Sequence, residues 1–315
     1  MGKEIKVCEF GVTFHTAHGP VSAVRDVNTV FREGEVTGLI GESGSGKSVL
    51  GMAILQLLPA NARIEGSCLY GDTELTALSE KEMEQIRGKE IALIPQNPVE
   101  SLNPVLRIGW QLTEAMTIHA PGKKAEAEQR YQDLMGRLGF SRPELVSRQY
   151  SFQLSGGMNQ RMIAVLGLMN RPAWMIADEP TKGLDAILRR QVYEVLQEIT
   201  MRDTRNMILI THDVALARKL SQKILVLYQG EILEQGTAAD VLDHPAHPYT
   251  RGLIGSLPRN GMKPIGQPLK GREDATGGCV FYPRCPQAAK RCRQEHPREA
   301  GLENGRKVRC FLYEK

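Results

Sequence analysis

The stretch GESGSGKS, Gly41 to Ser48, follows the apolar run Val36-Thr37-Gly38-Leu39-Ile40 and precedes a helical pattern. Strand, glycine-rich turn and Gly-Lys-Ser fit G-x-x-x-x-G-K-[ST] at every fixed position, in the order a phosphate cradle requires. Glycines let successive backbone N–H groups turn onto phosphate oxygens, and the following helix adds partial positive charge at its N-terminus. Lys47 is placed to reach the β- and γ-phosphates and Ser48 to bind Mg²⁺. The feature commits the chain to an α/β core with a nucleotide on its strand ends.

The rest of the chain fits such a core. Residues 5–14 and 21–31 read as strands joined by a polar turn, and Ile91 to Ile94, Trp174 to Ala177 and Met207 to Ile210 as short buried strands. Val49 to Leu58 has a helical period that Pro59 ends; residues 107–168 are mostly helical, clearest at Glu126 to Leu138; Ala186 to Thr200 and Ala215 to Leu220 are further helices. Ile224 to Tyr228 and Glu231 to Gln235 form a hairpin, and from about Pro245 periodicity fades. The pattern implies a mostly parallel sheet flanked by helices, with a helical block inserted at about 97–170. No internal repeat is visible. No apolar run approaches the roughly 18–20 residues that cross a bilayer, the start lacks a signal-peptide pattern, and Lys6 argues against myristoylation. A cytosolic protein that meets membranes through partners is expected.

Charge and cysteine divide the chain. Residues 246–315 hold 14 Lys/Arg against 6 Asp/Glu, while the body holds 26 against 30. Cys8 and Cys68 lie in the body; Cys279, Cys285, Cys292 and Cys310 lie in the tail. The basic tail suits anionic lipid or a solvated surface equally.

The apolar strand Trp174 to Ala177 ends in Asp178-Glu179. Beside a phosphate cradle, Asp178 can hold the Mg²⁺ shell and Glu179 can orient or deprotonate the attacking water. Leu154-Ser155-Gly156-Gly157 opens a helical run and is a second phosphate-binding device, most useful to a nucleotide held by another subunit. Gln96 and His212 each follow a buried strand, where open α/β sheets place their sites.

With these motifs in this order, residues 5–245 resemble the ATPase subunit of ABC transporters. The resemblance implies a P-loop NTPase (RecA-like) α/β core, an N-terminal antiparallel β subdomain and an inserted α-helical subdomain in residues 1–245, followed by a Cys-containing C-terminal extension over 246–315. It implies a Walker A loop at 41–48 in which Gly41, Ser43, Gly44, Gly46, Lys47, Ser48 and Val49 bind ATP, with Phe14 stacked on adenine. It implies a Q-loop at Gln96, a signature at Leu154 to Gly157 whose Ser155, Gly156 and Gly157 bind the ATP of a second subunit, a D-loop ending at Asp185, and a switch His212. Glu179, His212 and Gln96 would be the catalytic residues, and Ser48, Gln96 and Asp178 the Mg²⁺ ligands. Met158 stands where Gln is the commonest family residue, a variation familiar in the importer branch.

The tail segments His247-Pro248-Tyr249-Thr250, Gly252-Leu253-Ile254 and Leu257-Pro258 resemble the extension of the oligopeptide/dipeptide/nickel importer ATPases. The implied partners are two integral membrane permease subunits, a second ATPase subunit (a paralogue or this chain itself) and an extracellular or periplasmic substrate-binding protein, with the chain peripheral at the cytoplasmic face and no nucleic acid involved. In some members such tail cysteines hold an iron–sulfur cluster. Four thiolates at Cys279, Cys285, Cys292 and Cys310 suit a [4Fe–4S] cluster or Zn²⁺, although no tight zinc knuckle is present, and free thiols are the third reading. Peptides, nickel and metal chelates all remain as cargo, with Lys182-Gly183 departing from the residues expected of peptide members. The competing class is a soluble ABC ATPase acting on nucleic acid or ribosomes; those commonly carry two ATPase modules or a long coiled-coil insertion, neither of which is seen here.

Overall fold

The computed structural model describes residues 3–257, 261–262, 266 and 277–314; Pro258 of the tail pattern lies outside them. In chain order its strands are β1 (Ile5–Thr16), β2 (Gly19–Phe31), β3 (Val36–Ile40), β4 (Ala62–Tyr70), β5 (Thr73–Glu74), β6 (Ile91–Ile94), β7 (Trp174–Asp178), β8 (Met207–Thr211), β9 (Lys223–Tyr228), β10 (Glu231–Thr237), β11 (Glu299–Gly301) and β12 (Lys307–Arg309). One sheet has the order β2-β1-β4-β5 and is antiparallel. The other has the order β11-β12-β10-β9-β3-β8-β7-β6. In it β9, β3, β8, β7 and β6 run parallel and the rest antiparallel.

The parallel strands are legible because both of their faces are covered. Every residue of β3, β7 and β8 is buried, so each is a continuous apolar run rather than an alternating one. Their carboxyl ends carry Gly41, Glu179 and His212. The helices are α1 (Lys47–Ile54), α2 (Glu80–Met83), α3 (Pro98–Ser101), α4 (Ile108–Thr117), α5 (Lys124–Arg137), α6 (Pro143–Val146), α7 (Gly156–Leu168), α8 (Ala186–Arg202), α9 (Val214–Leu220), α10 (Ala238–Asp243), α11 (Pro248–Gly255) and α12 (Lys290–Gln294). Helices α3 to α7 form the inserted block, packed through Ile108, Leu112, Leu134, Met162 and Val165.

Two elements depart from expectation. The helix expected over 49–58 begins at Lys47 and ends at Ile54, because Gln56 takes a left-handed conformation (φ 50°) before Pro59. The tail also holds more regular structure than its weak periodicity suggests: β12 pairs with β10, and α11 packs into the main body. Tyr249, Ile254, Cys279, Phe281 and Cys285 share one core with Ile40, Ile224 and Val226 of the sheet. The opposite charges of tail and body meet in ion pairs: Arg284 with Glu42, Arg306 with Glu234 and Arg309 with Asp26. No helix among the described residues is long and apolar enough to cross a membrane.

His247, in the tail pattern, is buried and caps α11; the Tyr249 N–H donates to its Nδ1 at 3.0 Å. Burial, with nearby Arg251 adding to it, pushes this imidazole down to about 3. The unfolded chain takes up the proton below about 6.5, the folded chain only near 3, so this stability is complete above the unfolded value and declines as pH falls through that window. Lowering pH from 7 to 5 should cost about 2 kcal/mol at this one group. Urea titrations at both pH values should show a smaller loss in His247→Asn, whose amide oxygen can still accept the Tyr249 N–H. An equal loss in both proteins would remove His247 from the account.

Candidate functional site

The loop between β3 and α1 is held from two sides. The Gly230 N–H, in the β9–β10 turn, donates to Ser45 O (2.9 Å), and the Arg25 N–H of β2 donates to Gly230 O (2.8 Å). Gly46 has φ 102° and packs so close to β2 that a Cβ would lie 2.3 Å from Ala23 O, so only glycine fits. Ser43 and Gly44 are exposed at the crest of the loop.

Lys47 begins α1 and is buried, its Nζ donating to Gly41 O (3.0 Å) and Glu42 O (2.8 Å). Burial lowers its pKa, an effect opposed by Glu179 and Asp178. The Nζ lies 3.9 Å from the Glu179 carboxylate. An ammonium lodged on carbonyls at the mouth of a glycine loop is a ready partner for phosphate oxygens. The Ser48 hydroxyl donates to Asp178 Oδ1 at 2.8 Å. Asp178 is buried at the end of β7; desolvation raises its pKa, and the Ser48 bond works against that rise. A hydroxyl and a buried carboxylate in contact are hard oxygen donors costly to leave without a cation, and so they fit Mg²⁺.

Glu179 is buried and sits at φ 46°, a left-handed conformation costing roughly 1–3 kcal/mol for a residue other than glycine. Its backbone N–H donates to Ile210 O of β8 (2.8 Å). Its Oε2 lies 2.6 Å from His212 Nδ1 and accepts the His212 backbone N–H at 3.3 Å. The start of α1 and the ends of β7 and β8 thus bring together Lys47, Ser48, Asp178, Glu179 and His212, with Ser48 bonded to Asp178, Glu179 to His212, and Lys47 ion-paired with Glu179.

Other expected residues stand apart from that group. Gln96, at the end of β6, is half-buried beside Gly157, Gln160 and Gln191, and no hydrogen bond among the described residues joins it to Ser48 or Asp178. Phe14 pairs with Val21 and Ala62 and packs, like Val49, on the core beneath the antiparallel sheet. Ser155 caps α7, its Oγ accepting the Met158 N–H at 3.3 Å, and both Ser155 and Gly156 are exposed. Gly157 is buried against Leu188 and Gln191 of α8. Asp185 caps α8, accepting the Leu188 N–H at 2.9 Å, and is also exposed. No hydrogen bond among the described residues joins 155–157 to the 41–48 loop. One link does run from α7 to the turn after β7: Gln160 Nε2 donates to Pro180 O at 3.0 Å.

The reading of Cys279, Cys285, Cys292 and Cys310 as a [4Fe–4S] or Zn²⁺ site finds no support. The four thiols line one pocket, yet no group of three or more His, Cys, Asp or Glu among the described residues is placed to hold a metal. Burial pushes the Cys279 thiol up to about 12 and raises Cys310, so both favour the protonated form. Three arginines of the basic tail are engaged in ion pairs: Arg284 on Glu42, Arg306 on Glu234, and Arg291 on Glu295 and Glu314.

One set of contacts near the loop escaped the sequence reading. The Glu42 N–H donates to Tyr249 Oη (2.9 Å), and Arg284 forks the Glu42 carboxylate (2.7 and 2.9 Å). Glu42 occupies a variable position of the motif and its partners lie 207 and 242 residues away, so no local signal marks the contact.

Comparison with known proteins agrees with this geometry. The ABC transporter family model matches residues 24–182, and that of the oligopeptide/dipeptide transporter C-terminal region matches 233–292. The chain is 37% identical to the oligopeptide transport ATP-binding protein AppD of Bacillus subtilis, over all of this chain and 98% of that one. It is 37% identical to the dipeptide transport ATP-binding protein DppD of Escherichia coli, over 97% and 95% respectively. The dimeric, ADP- and Pi-bound ATP-binding cassette MJ0796 shares the fold, with a TM-score of 0.65 at 24% identity over 74% of this chain and 98% of that one. The chain belongs to the ATP-binding subunits of ABC transporters, in the branch defined by the oligopeptide/dipeptide C-terminal region.

Proposed function

We propose that this chain is the ATP-hydrolysing motor subunit of an importer of oligopeptides or dipeptides. The carrying observation is the cluster of Lys47, Ser48, Asp178, Glu179 and His212 beside a glycine loop, joined by two side-chain hydrogen bonds and the Lys47–Glu179 ion pair. In this reading the phosphates of ATP replace the loop carbonyls as partners of Lys47. Ser48 and Asp178 would hold Mg²⁺, with Gln96 joining from the end of β6, and the ion would supply neutralisation of phosphate charge. Water attacks the γ-phosphorus, the bond to the β–γ bridging oxygen breaks, ADP leaves, and Glu179 takes the proton of the water while His212 fixes its carboxylate. Ser155 and Gly156 serve the ATP of a second ATPase subunit, either a paralogue or another copy, which their exposure at the N-terminus of α7 supports.

Two permease subunits and a substrate-binding protein complete the system, with this chain on the cytoplasmic face of the membrane. Segment 96–110, with Val105 and Trp110 exposed, is the docking surface for the permeases. AppD and DppD carry oligopeptide and dipeptide transport in their names, which favours peptides over nickel or metal chelates and an importer over a nucleic-acid ATPase. Lys47→Ala tests the assignment of the loop. Binding of a fluorescent ATP analogue should weaken by about 10²-fold or more, as expected on removing a principal phosphate cation. Binding at parent affinity would exclude the 41–48 loop as the nucleotide site.

A further inference from the structure

Every polar group of Glu42 is engaged, its carbonyl within the loop and its N–H and carboxylate with the C-terminal extension. Its carbonyl accepts Lys47 Nζ (2.8 Å) and the Ser45 N–H (3.2 Å). Its N–H donates outward to the hydroxyl of Tyr249, a fully buried residue. Its carboxylate is forked by Arg284, whose side chain is 18% exposed. The fork is held rigidly. The guanidinium lies 5.6 Å from the Tyr228 ring centroid and 5.9 Å from that of Phe281, and its Nε donates to Gly266 O at 2.9 Å. Tyr249 packs between the same two rings, at 4.6 Å and 5.4 Å.

A carboxylate within a phosphate loop opposes its own ligand, because like charges in a partly buried site repel strongly. A loop N–H that turns outward, away from the phosphates, needs a fixed acceptor to satisfy it, and that bond holds the loop in its conformation. Bidentate pairing suits arginine for the first task, since the planar fork cancels the charge and fixes its direction.

We propose that Arg284 and Tyr249 are positioning residues for nucleotide binding: the extension neutralises and anchors Glu42 and thereby sets the ATP affinity of the loop. The residues 41–48 being the phosphate loop is a premise of this inference. Neither residue need touch ATP; both act through Glu42.

The test is equilibrium binding of a fluorescent ATP analogue with Mg²⁺ to the full chain. Arg284→Ala should weaken binding roughly tenfold, the scale of one uncompensated charge at a partly buried site. Adding Glu42→Gln to Arg284→Ala should restore affinity to within about threefold of the parent, because the repelling charge is then gone. Tyr249→Phe removes one hydroxyl and keeps the buried ring, so it should fold and still weaken binding by about threefold or more. Parent affinity in Arg284→Ala, failure of Glu42→Gln to rescue it, or parent affinity in Tyr249→Phe would each overturn the inference while leaving the loop assignment intact. Parent-level binding by Lys47→Ala would overturn the loop assignment, and the inference with it.

Discussion

Glu179→Gln is expected to lower phosphate release by about 10²–10⁴-fold while leaving ATP binding within a few fold of the parent. Glu179 is the only carboxylate among the described residues that touches both Lys47 and His212. Asp178 accepts the Ser48 hydroxyl, and the proposed function gives it the role of metal ligand rather than proton acceptor. Glutamine keeps the size of the side chain and an oxygen for His212 and its backbone N–H, so the strained turn at φ 46° should survive. What glutamine lacks is a basic site for the water's proton. Binding should persist because Lys47, Ser48 and the loop N–H groups are untouched. Phosphate release under single-turnover conditions, read beside nucleotide affinity, separates the two effects. Turnover at the parent rate would move the general base elsewhere.

Gly156→Asp is the second large effect, although the substitution should not harm the fold. Gly156 is the first residue of α7, and a Cβ built there meets nothing within 4 Å. An acidic residue in a helix's first turn stabilises it by about 0.3–1 kcal/mol. The isolated chain should therefore melt at the parent temperature or slightly above, and its own ATP site, elsewhere in the chain, should bind as before. If α7 serves the phosphates of a second subunit, however, the new carboxylate faces a polyphosphate. Removing that subunit's stabilisation should cost at least about tenfold in turnover of the assembled transporter. Stability unchanged, binding unchanged and turnover lost is a combination that a within-chain role for Gly156 does not produce.

Much of this site was legible in the sequence because its residues terminate strands buried on both faces. Such strands read as apolar runs, and the polar residues that end them, Asp178-Glu179 and His212, stand out against the run. Other parts were not legible, for identifiable reasons. β4 (ARIEGSCLY) lacks clean alternation because Gly66 bends it at φ 80°, with a Cβ there falling 2.3 Å from Glu9 O, and pairing with β1 and β5 makes it a strand. β11 and β12 are three residues each, too short to show a period, and exist through pairing with each other and with β10. The extension's grip on Glu42 spans most of the chain and involves residue types that suit any surface. The four tail cysteines show the converse: their spacing suggested a metal site, but sequence cannot show that burial favours the protonated form at Cys279 and Cys310.

The central claim is that ATP is held between the loop of one subunit and the Ser155-Gly156 corner of another. The most direct measurement is the rate of phosphate release by the assembled transporter carrying Gly156→Asp, with ATP-analogue binding by the isolated variant chain as its companion. The account predicts parent-like binding by the isolated chain and turnover at least about tenfold below the parent complex. Turnover at the parent rate, or loss of binding in the isolated chain, would contradict it.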